Sequence, residues 1–449
     1  MGSDLSLLCV LDNTLFLAAR QPYREPTARH DLGCMDIECP HCGALHWMME
    51  RLTRSSATSP EFGFCCKSGK VQLPALQAPP EALKALFDGE DEQAKEFRAN
   101  IWKYNRAFAF TSLKVKEDHS VNRGHGPPVF RIQGELFHRG GPLEPAPRRD
   151  PTYAQLYIYD PQAALEHRHH QNVGLNVDTL RILQRVILDN HQYAAIYKHA
   201  HEILQGYDPQ EDVCICLRVA PGSDRRRYNL PTADEVTVIL PTDANPEKNS
   251  QDIVLYQRRG GIQIISDLHP AYVSLYYVIL FLYGENGWHP NLQIAHRGRY
   301  QRTRMTQVQF VSYRLQSRRN EYSSLLHGGR LLQRFLVDMF ASIDQNRLNW
   351  IFFNQPTLRA CLYSGLEDAV AFGDDEIDLG NLGQQYVLPS SYIGGPRHMQ
   401  QQYQDSMAIA RYFRRVDIFL TVTSNPQWPE ITQELLPGQT PYDRPDLVA

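Results

Sequence analysis

Residues 39–42 have the sequence Cys-Pro-His-Cys, and residues 64–69 have the sequence Phe-Cys-Cys-Lys-Ser-Gly. Zinc takes four nitrogen or sulfur ligands in a tetrahedron, and a C-x-x-C loop presents two thiolates to one ion. The candidate ligands are Cys39 and Cys42, with two more among Cys65, Cys66 and His46, since adjacent thiols are an awkward pair for one ion. The sequence therefore predicts a structural zinc-binding knuckle in residues 31–75. The alternative is a loop-rich segment with free, reduced cysteines.

The composition is that of a folded protein. The chain has 449 residues, a formal net charge of -4, 42% hydrophobic and 21% charged residues. This composition excludes wholesale disorder, and the net charge argues against a wholly basic nucleic-acid coat protein. Five of the nine cysteines fall in residues 34–66, a clustering that suits a metal site better than a disulfide framework. The longest apolar run, residues 271–283, is too short to cross a bilayer, and the first residues lack a basic signal-peptide region. We expect an intracellular protein without a membrane segment.

Helical and strand patterns alternate along the rest of the sequence. Apolar spacing predicts helices at residues 97–108, 178–204 and 331–343 and a further helix from Pro396 onward. Strands are predicted at residues 129–132, 155–159, 253–256, 262–265 and 417–423. The segment Arg258-Arg259-Gly260-Gly261 between two of these strands predicts a β-hairpin. The pattern predicts a mixed α and β fold, with divisions at 1–30, 31–75, 76–250 and 251–449.

Residues 291–320 hold seven arginines and no acidic residue, and Tyr300, Phe310 and Tyr313 lie among them. Guanidinium groups pair with phosphate oxygens, and aromatic faces stack on unpaired bases. We therefore predict contact with DNA, in the single-stranded form, through Arg297, Arg299, Arg302, Arg304 and Tyr313. The alternative is a solvated loop whose arginines pair with acids that the fold brings in, such as those at 374–378.

Two histidine groups have spacings that could suit a metal. Residues 199–201 have the sequence His-Ala-His, but they fall within a predicted helix, where two steps turn by about 200° and separate the imidazoles. Residues 167–170, with the sequence His-Arg-His-His, fall in a polar, loop-like run, for which solvated histidines are favoured over the alternative of a weak metal cluster. The sequence also contains no Gly-x-x-x-x-Gly-Lys-Ser/Thr loop, so we expect no ATP site. No catalytic residue is assigned.

Several stretches, in order, resemble the N-terminal region of Helitron transposases. They include residues 39–47, 64–71, 104–110, 154–160, 230–236, 268–272, 283–288, 326–331, 345–348, 388–391, 395–400 and 419–431. The resemblance implies a rolling-circle replication-initiator nuclease, with a palm-like sheet, a metal on a His-hydrophobic-His strand and a tyrosine that attacks DNA. Residues 419–425 are similar to its first motif, and the later motifs would follow beyond Ala449, so the resemblance implies a region truncated before them. It also implies a nuclear location.

These observations give one expected fold and one expected function. The fold is α+β, with an N-terminal zinc-knuckle segment, a mixed α/β middle region, and the start of a palm-like nuclease domain in the Helitron helicase-like residues 251–449. The function is a DNA-binding fragment of a Helitron-type transposase that does not cleave a strand alone. Arg330 and Arg397, in glycine-containing stretches that match the family, are further DNA contacts or structural residues of tight loops. The alternative function is a domesticated, zinc-containing interaction or regulatory protein without enzymatic activity, whose protein partners the sequence does not name.

Overall fold

A computed structural model describes a large part of the chain. The described residues are 27, 31–114, 137–140, 145, 149–205, 214–217, 236–239, 253–257, 263–295, 303–355, 388–414, 420–421 and 423–448. Helices dominate this part, and three small antiparallel sheets accompany them. None of its helices combines the length and the apolar character needed to cross a membrane.

The α-helices are numbered in chain order. They are α1 (Glu81–Asp88), α2 (Glu92–Phe108), α3 (Pro161–Gln171), α4 (Val177–Asn190), α5 (Gln192–Gln205), α6 (Tyr272–Tyr276), α7 (Gln307–Arg314), α8 (Arg330–Phe353), α9 (Pro396–Phe413), α10 (Pro429–Thr432) and α11 (Pro445–Val448). Short 3-10 helices span Met48–Glu50, Tyr153–Tyr157 and Pro441–Asp443.

The strands are short and pair only in antiparallel fashion within the described residues. They are β1 (Ile37–Glu38), β2 (Leu45–His46), β3 (Ser112–Lys114), β4 (Phe137–Gly140), β5 (Cys214–Leu217), β6 (Val236–Ile239), β7 (Ile253–Gln257) and β8 (Gln263–Ile265). The β1 and β2 strands pair with each other, and the other sheets have the orders β3-β4-β8 and β6-β5-β7.

The predicted hairpin between residues 253–256 and 262–265 is wrong. Strand β7 pairs with β5, and strand β8 pairs with β4 in a different sheet. The Arg-Arg-Gly-Gly sequence favours a turn locally, but each of the two strands forms its hydrogen bonds with a strand far away in the sequence. Residues 258–262 themselves lie outside the described part of the chain.

Helix α2 forms the centre of the core. Its predicted apolar face of Phe97, Ile101, Tyr104 and Phe108 is confirmed, because each of these residues is at most 1% exposed. Asp91 begins the helix by accepting a hydrogen bond from the backbone of Ala94 at 2.8 Å, which satisfies one of the free N–H groups of the first turn.

The apolar run at 271–283 packs against this helix. Buried Asn105 donates to the carbonyl oxygen of Tyr276 at 2.8 Å and accepts from the backbone of Ile279 at 3.3 Å. A buried side-chain amide must find such partners to offset its desolvation. The run that the sequence shows to be too short for a membrane is thus part of the protein core, where α6 lies.

The helix predicted at 178–204 is two helices. Chain direction changes at His191, whose backbone is extended between α4 and α5. The His191 Nε2 lies 3.2 Å from the carbonyl oxygen of Ser274, and burial lowers the pKa of this imidazole to about 3. The histidine is therefore a neutral core residue, and its tertiary contact takes the place of helix continuation.

Two further predictions of local structure are wrong. Residues 155–159 are not a strand, because Thr152 and Gln155 form a reciprocal capping box at the start of the 3-10 helix. Residues 167–170 are not a loop, because they lie in α3, where Arg168 is 1% exposed, although His169 and His170 are solvent-exposed as predicted. The Arg168 guanidinium packs on the rings of Phe108 and Tyr157.

The C-terminal helices agree with the sequence in position. Helix α8 covers the predicted residues 331–343 and buries Leu331, Leu332 and Phe335, although Phe340 faces solvent. Helix α9 begins at Pro396, so this proline lies in the first turn, as predicted. The predicted strand 129–132 and most of 417–423 lie outside the described residues, so the palm-like nuclease sheet stays a prediction.

Candidate metal centre and nucleic-acid interface

Four cysteines form a compact group in the knuckle, which comprises residues 31–75. The sulfur atoms of Cys39, Cys42, Cys65 and Cys66 all lie within 4.8 Å of one another. Three of the four residues are buried, and Cys42 is half-buried. Four thiolates in a closed, mostly buried group match the donor set of a structural zinc site. Both adjacent cysteines belong to the group, whereas the other candidate ligand, His46, does not.

Tight turns bring the two arms of the knuckle, residues 39–42 and residues 64–70, together. In the first arm, the Cys39 backbone donates to Ala44 and that of Gly43 donates to Cys39, at 2.8 and 2.9 Å. In the second arm, Lys67, Ser68 and Gly69 all have positive φ angles, so the chain reverses directly after Cys66. The backbone N–H of Gly69 then donates to the Cys66 sulfur at 3.2 Å.

The thiols influence one another strongly. Hydrogen bonds from Cys42, Cys65 and Cys66 lower the pKa of Cys39, whereas hydrogen bonds to Cys39 and Cys42 raise the pKa of Cys65. The group therefore stabilises a thiolate at one position by keeping protons at others. A divalent cation would remove this competition, because metal ligation deprotonates each thiol that it engages.

His46 is not a member of the four-sulfur group. Its Nδ1 lies 2.6 Å from a carboxylate oxygen of Glu50, and its ring stacks on Phe62 with centroids 4.1 Å apart. The side chain is buried within the knuckle. Its position indicates a packing role beside the candidate metal centre.

The knuckle is attached to the segment that follows α7. The Leu45 backbone donates to the Ser317 carbonyl oxygen at 2.9 Å, and Ala44 forms an antiparallel bridge with Arg318. Arg319 pairs with Glu38 at 3.2 Å. These contacts join strands β1 and β2 of the knuckle to the end of the arginine-rich stretch.

The beginning of the same stretch also contacts the knuckle. We call residues 292–295 and 303–305 the arginine ribbon, because Gln293 bridges Arg304 in antiparallel fashion and backbone hydrogen bonds join the two sides. The Ala295 backbone donates to the carbonyl oxygen of Lys70 at 2.9 Å. The second arm of the knuckle is thus hydrogen-bonded to the base of the ribbon.

The arginines predicted to contact DNA differ in their exposure to solvent. Arg304 and Arg330 are exposed, and Arg397 is half-buried near the start of α9. Arg297, Arg299 and Arg302 lie outside the described residues.

Tyr313 is not available for base stacking. The side chain is 8% exposed, its hydroxyl donates to the Leu73 carbonyl oxygen at 3.2 Å, and the Arg318 guanidinium covers its ring at 4.1 Å. Neighbouring Arg314 is likewise buried and donates to Pro74 at 2.7 Å. The prediction that Tyr313 contacts DNA is therefore wrong. Sequence spacing places it among arginines but cannot show that it packs inward.

The arginines near Tyr313 have structural partners in the described part of the chain. They use backbone carbonyls together with Glu38 and Glu321. The acids at 374–378, which the sequence offers as alternative partners, lie outside the described residues.

His199 and His201 lie in a helix, as predicted, within α5. Ala200 between them is fully buried, and His199 lies 3.7 Å from Glu202. Two residues along a helix differ by about 200° in direction, so these imidazoles do not form the pair that a strand would present to one metal.

Comparison with known proteins finds a family match for the C-terminal part of the chain. Residues 310–449 match the family described as the Helitron helicase-like domain at the N-terminus. This segment is similar to the Helitron helicase-like N-terminal region. The region begins in α7 and includes Ser317, Arg318 and Arg319, which hold the knuckle. No curated protein matches the chain.

Proposed function

We propose that this chain is a single-stranded-DNA-binding protein of the Helitron transposition type, in which a structural zinc ion holds the knuckle together. The hydrogen bond from the Ala295 backbone to Lys70 carries the proposal. It puts the four-cysteine group beside the base of the arginine ribbon. The Helitron helicase-like region supplies the link to DNA transposition.

Local charge supports DNA as the partner. The chain as a whole has a net charge of -4, so attraction to phosphates must come from a restricted surface. Arg304 and Lys67 are exposed at the ribbon and at the knuckle, and the sequence between the two sides of the ribbon carries Arg297, Arg299 and Arg302. Cations concentrated in this way release counterions from DNA on binding.

The metal supports this surface without performing chemistry. Four thiol ligands fill a tetrahedral zinc and leave no position for water or substrate. Cys39 and Cys42 lie in the arm that contacts Arg318, and Cys65 and Cys66 lie in the arm that contacts the ribbon. A zinc ion bound by all four would fix the two contacts relative to each other.

Strand cleavage is not part of the proposal. A rolling-circle nuclease of the kind that the resemblance implies holds its metal on a strand. Here His199 and His201 lie on helix α5 and face different directions. The proposed activity of these 449 residues is therefore to hold a strand.

The test is a salt titration of binding to fluorescently labelled oligo(dT). The variant replaces Arg297, Arg299, Arg302 and Arg304 with alanine, and the control replaces Arg181 and Arg185, which are exposed on α4. The slope of log K against log salt should become shallower by about 3 in the variant, because each lost contact with a single strand removes roughly 0.7. An unchanged slope would refute the role of the ribbon.

Protein binding is a second candidate function, and helix α9 favours it. None of its 18 residues is buried, and Met399, Tyr403 and Ile409 are each more than half exposed. Such side chains on one helix are typical of a protein interface. If this is the function, Ile409→Glu should abolish self-association or partner capture in light scattering, whereas an unaffected variant would count against it.

A further inference from the structure

Phe64 is the most informative exposed side chain of the knuckle. It is 83% exposed although it directly precedes the buried Cys65. Scattered apolar side chains on a surface need no explanation by themselves. The position of this one is unusual, because the residues on both sides of it are fixed.

The backbone around Phe64 is held in place. Phe62, two residues earlier, is buried and stacks on His46, and Gly63 lies close to the Leu52 side chain. Cys65 and Cys66 follow with their sulfur atoms in the four-cysteine group. The aromatic ring is therefore presented outward from a rigid loop, so that little conformational entropy is lost when a partner covers it.

The two arms of the knuckle are basic and polar in composition. Lys67 is exposed in the same arm, and His41 is exposed in the first arm, where its ring lies next to Gly69. The two arms, residues 39–42 and 64–70, contain no acidic residue. A protein partner would more naturally meet an apolar patch, such as that of α9, than a single exposed ring in an arm that also carries lysine.

We propose that Phe64 stacks on an unpaired base of single-stranded DNA, with Lys67 near an adjoining phosphate. This inference rests on the proposed function and specifies how the knuckle takes part in it. Aromatic faces bind bases of any sequence, and a nearby cation adds attraction to the backbone. A duplex hides its base faces in the stack, so the contact would favour single strands.

The experiment measures oligo(dT) affinity for Phe64→Ala, Phe64→Leu and Phe64→Trp. Loss of the ring should weaken binding by about 5- to 150-fold, the range measured for loss of one stacked base. The Trp variant should retain the affinity of the unaltered chain, and the Leu variant should resemble the Ala variant. The salt slope should stay the same in all three, because no charge is removed.

Control variants distinguish failure of the stacking inference from failure of the proposed function. Met49→Ala removes another exposed apolar side chain of the knuckle and should leave affinity unchanged, and zinc content should be equal in every variant. If the unaltered chain binds and Phe64→Ala binds equally well, the stacking inference is wrong while the proposed function stands. If leucine restores full affinity, stacking is also refuted. If the unaltered chain does not bind, the proposed function fails first.

Discussion

The Nε of Arg318 donates a hydrogen bond to the carbonyl oxygen of Cys42 at 3.0 Å. The same guanidinium covers the Tyr313 ring and donates to the Tyr313 carbonyl oxygen at 3.1 Å. An arginine of the Helitron helicase-like region thus holds the first arm of the candidate metal centre. Among the described arginines of the stretch predicted to bind DNA, Arg318 and Arg319 contact the knuckle, whereas Arg304 is exposed.

Arg318→Ala should destabilise the protein. Its side chain is largely covered, and it serves the Cys42 carbonyl and Glu321 together, so we expect the free energy of unfolding to fall by about 2–3 kcal/mol. Urea denaturation measures the change. Arg319→Ala removes an exposed pair with Glu38 and an exposed hydrogen bond to the Asp36 carbonyl oxygen, and it should cost less than about 1 kcal/mol. Equal losses in the two variants would contradict the role of Arg318.

The four-cysteine group should bind one zinc ion. Elemental analysis of the purified protein should find about one zinc per chain, and serine at Cys39, Cys65 or Cys66 should remove it, because zinc binding and folding of such a site are coupled. Cys34→Ser is the matched control, since Cys34 is exposed and outside the group. Unchanged zinc in the Cys39 variant, or loss of zinc in the Cys34 variant, would show that the ligand set is wrong.

Asp338 should make stability depend on pH. This buried carboxyl accepts from the hydroxyls of Tyr272 and Tyr277 at 2.9 and 3.1 Å, and burial raises its pKa to about 6. The folded state then holds the proton more tightly than the unfolded state. The resulting stabilisation is fully present below pH about 4 and is lost as pH rises through about 6.

Asp338→Asn should remove that dependence. Between pH about 3 and 7, the unfolding free energy of the unaltered chain should fall by roughly 3 kcal/mol relative to the variant, which corresponds to about two pKa units. Urea denaturation at several pH values gives both curves. Parallel curves would mean that Asp338 does not titrate in this range.

Incubation with single-stranded DNA and Mn²⁺ should give no covalent protein–DNA band. The described histidine pair lies on a helix, and the proposed site holds DNA through cations and one ring. A denaturing gel with a labelled oligonucleotide is the measurement. A band that survives denaturation would show that these 449 residues cleave a strand, and the proposed function would have to be revised.

Periodicity predicted the helices well where a single apolar face determines the structure, as in α2 and α8. It failed where a distant partner decides. His191 breaks a continuous helical pattern because its ring bonds to Ser274, and strands β7 and β8 join different sheets despite a strong turn signal between them. Both outcomes depend on residues far away in the sequence, which local patterns do not contain.

The candidate site was predictable in its chemistry but not in its arrangement. Cysteine spacing indicates zinc, yet only the turn at Lys67 and Ser68 shows how adjacent Cys65 and Cys66 reach one site. Phe64 carried no sequence signal beyond its place before the cysteines. Tyr313 carried a strong one and is nevertheless buried. Side-chain direction is what the sequence alone did not provide.

Binding of the zinc-loaded chain to labelled oligo(dT), followed by fluorescence anisotropy from about 50 to 200 mM salt, tests the central proposal most directly. We predict saturable binding that is tighter than to a duplex of equal length and that weakens steeply as salt rises. Absence of binding at the lowest salt, or affinity that does not change with salt, would contradict it.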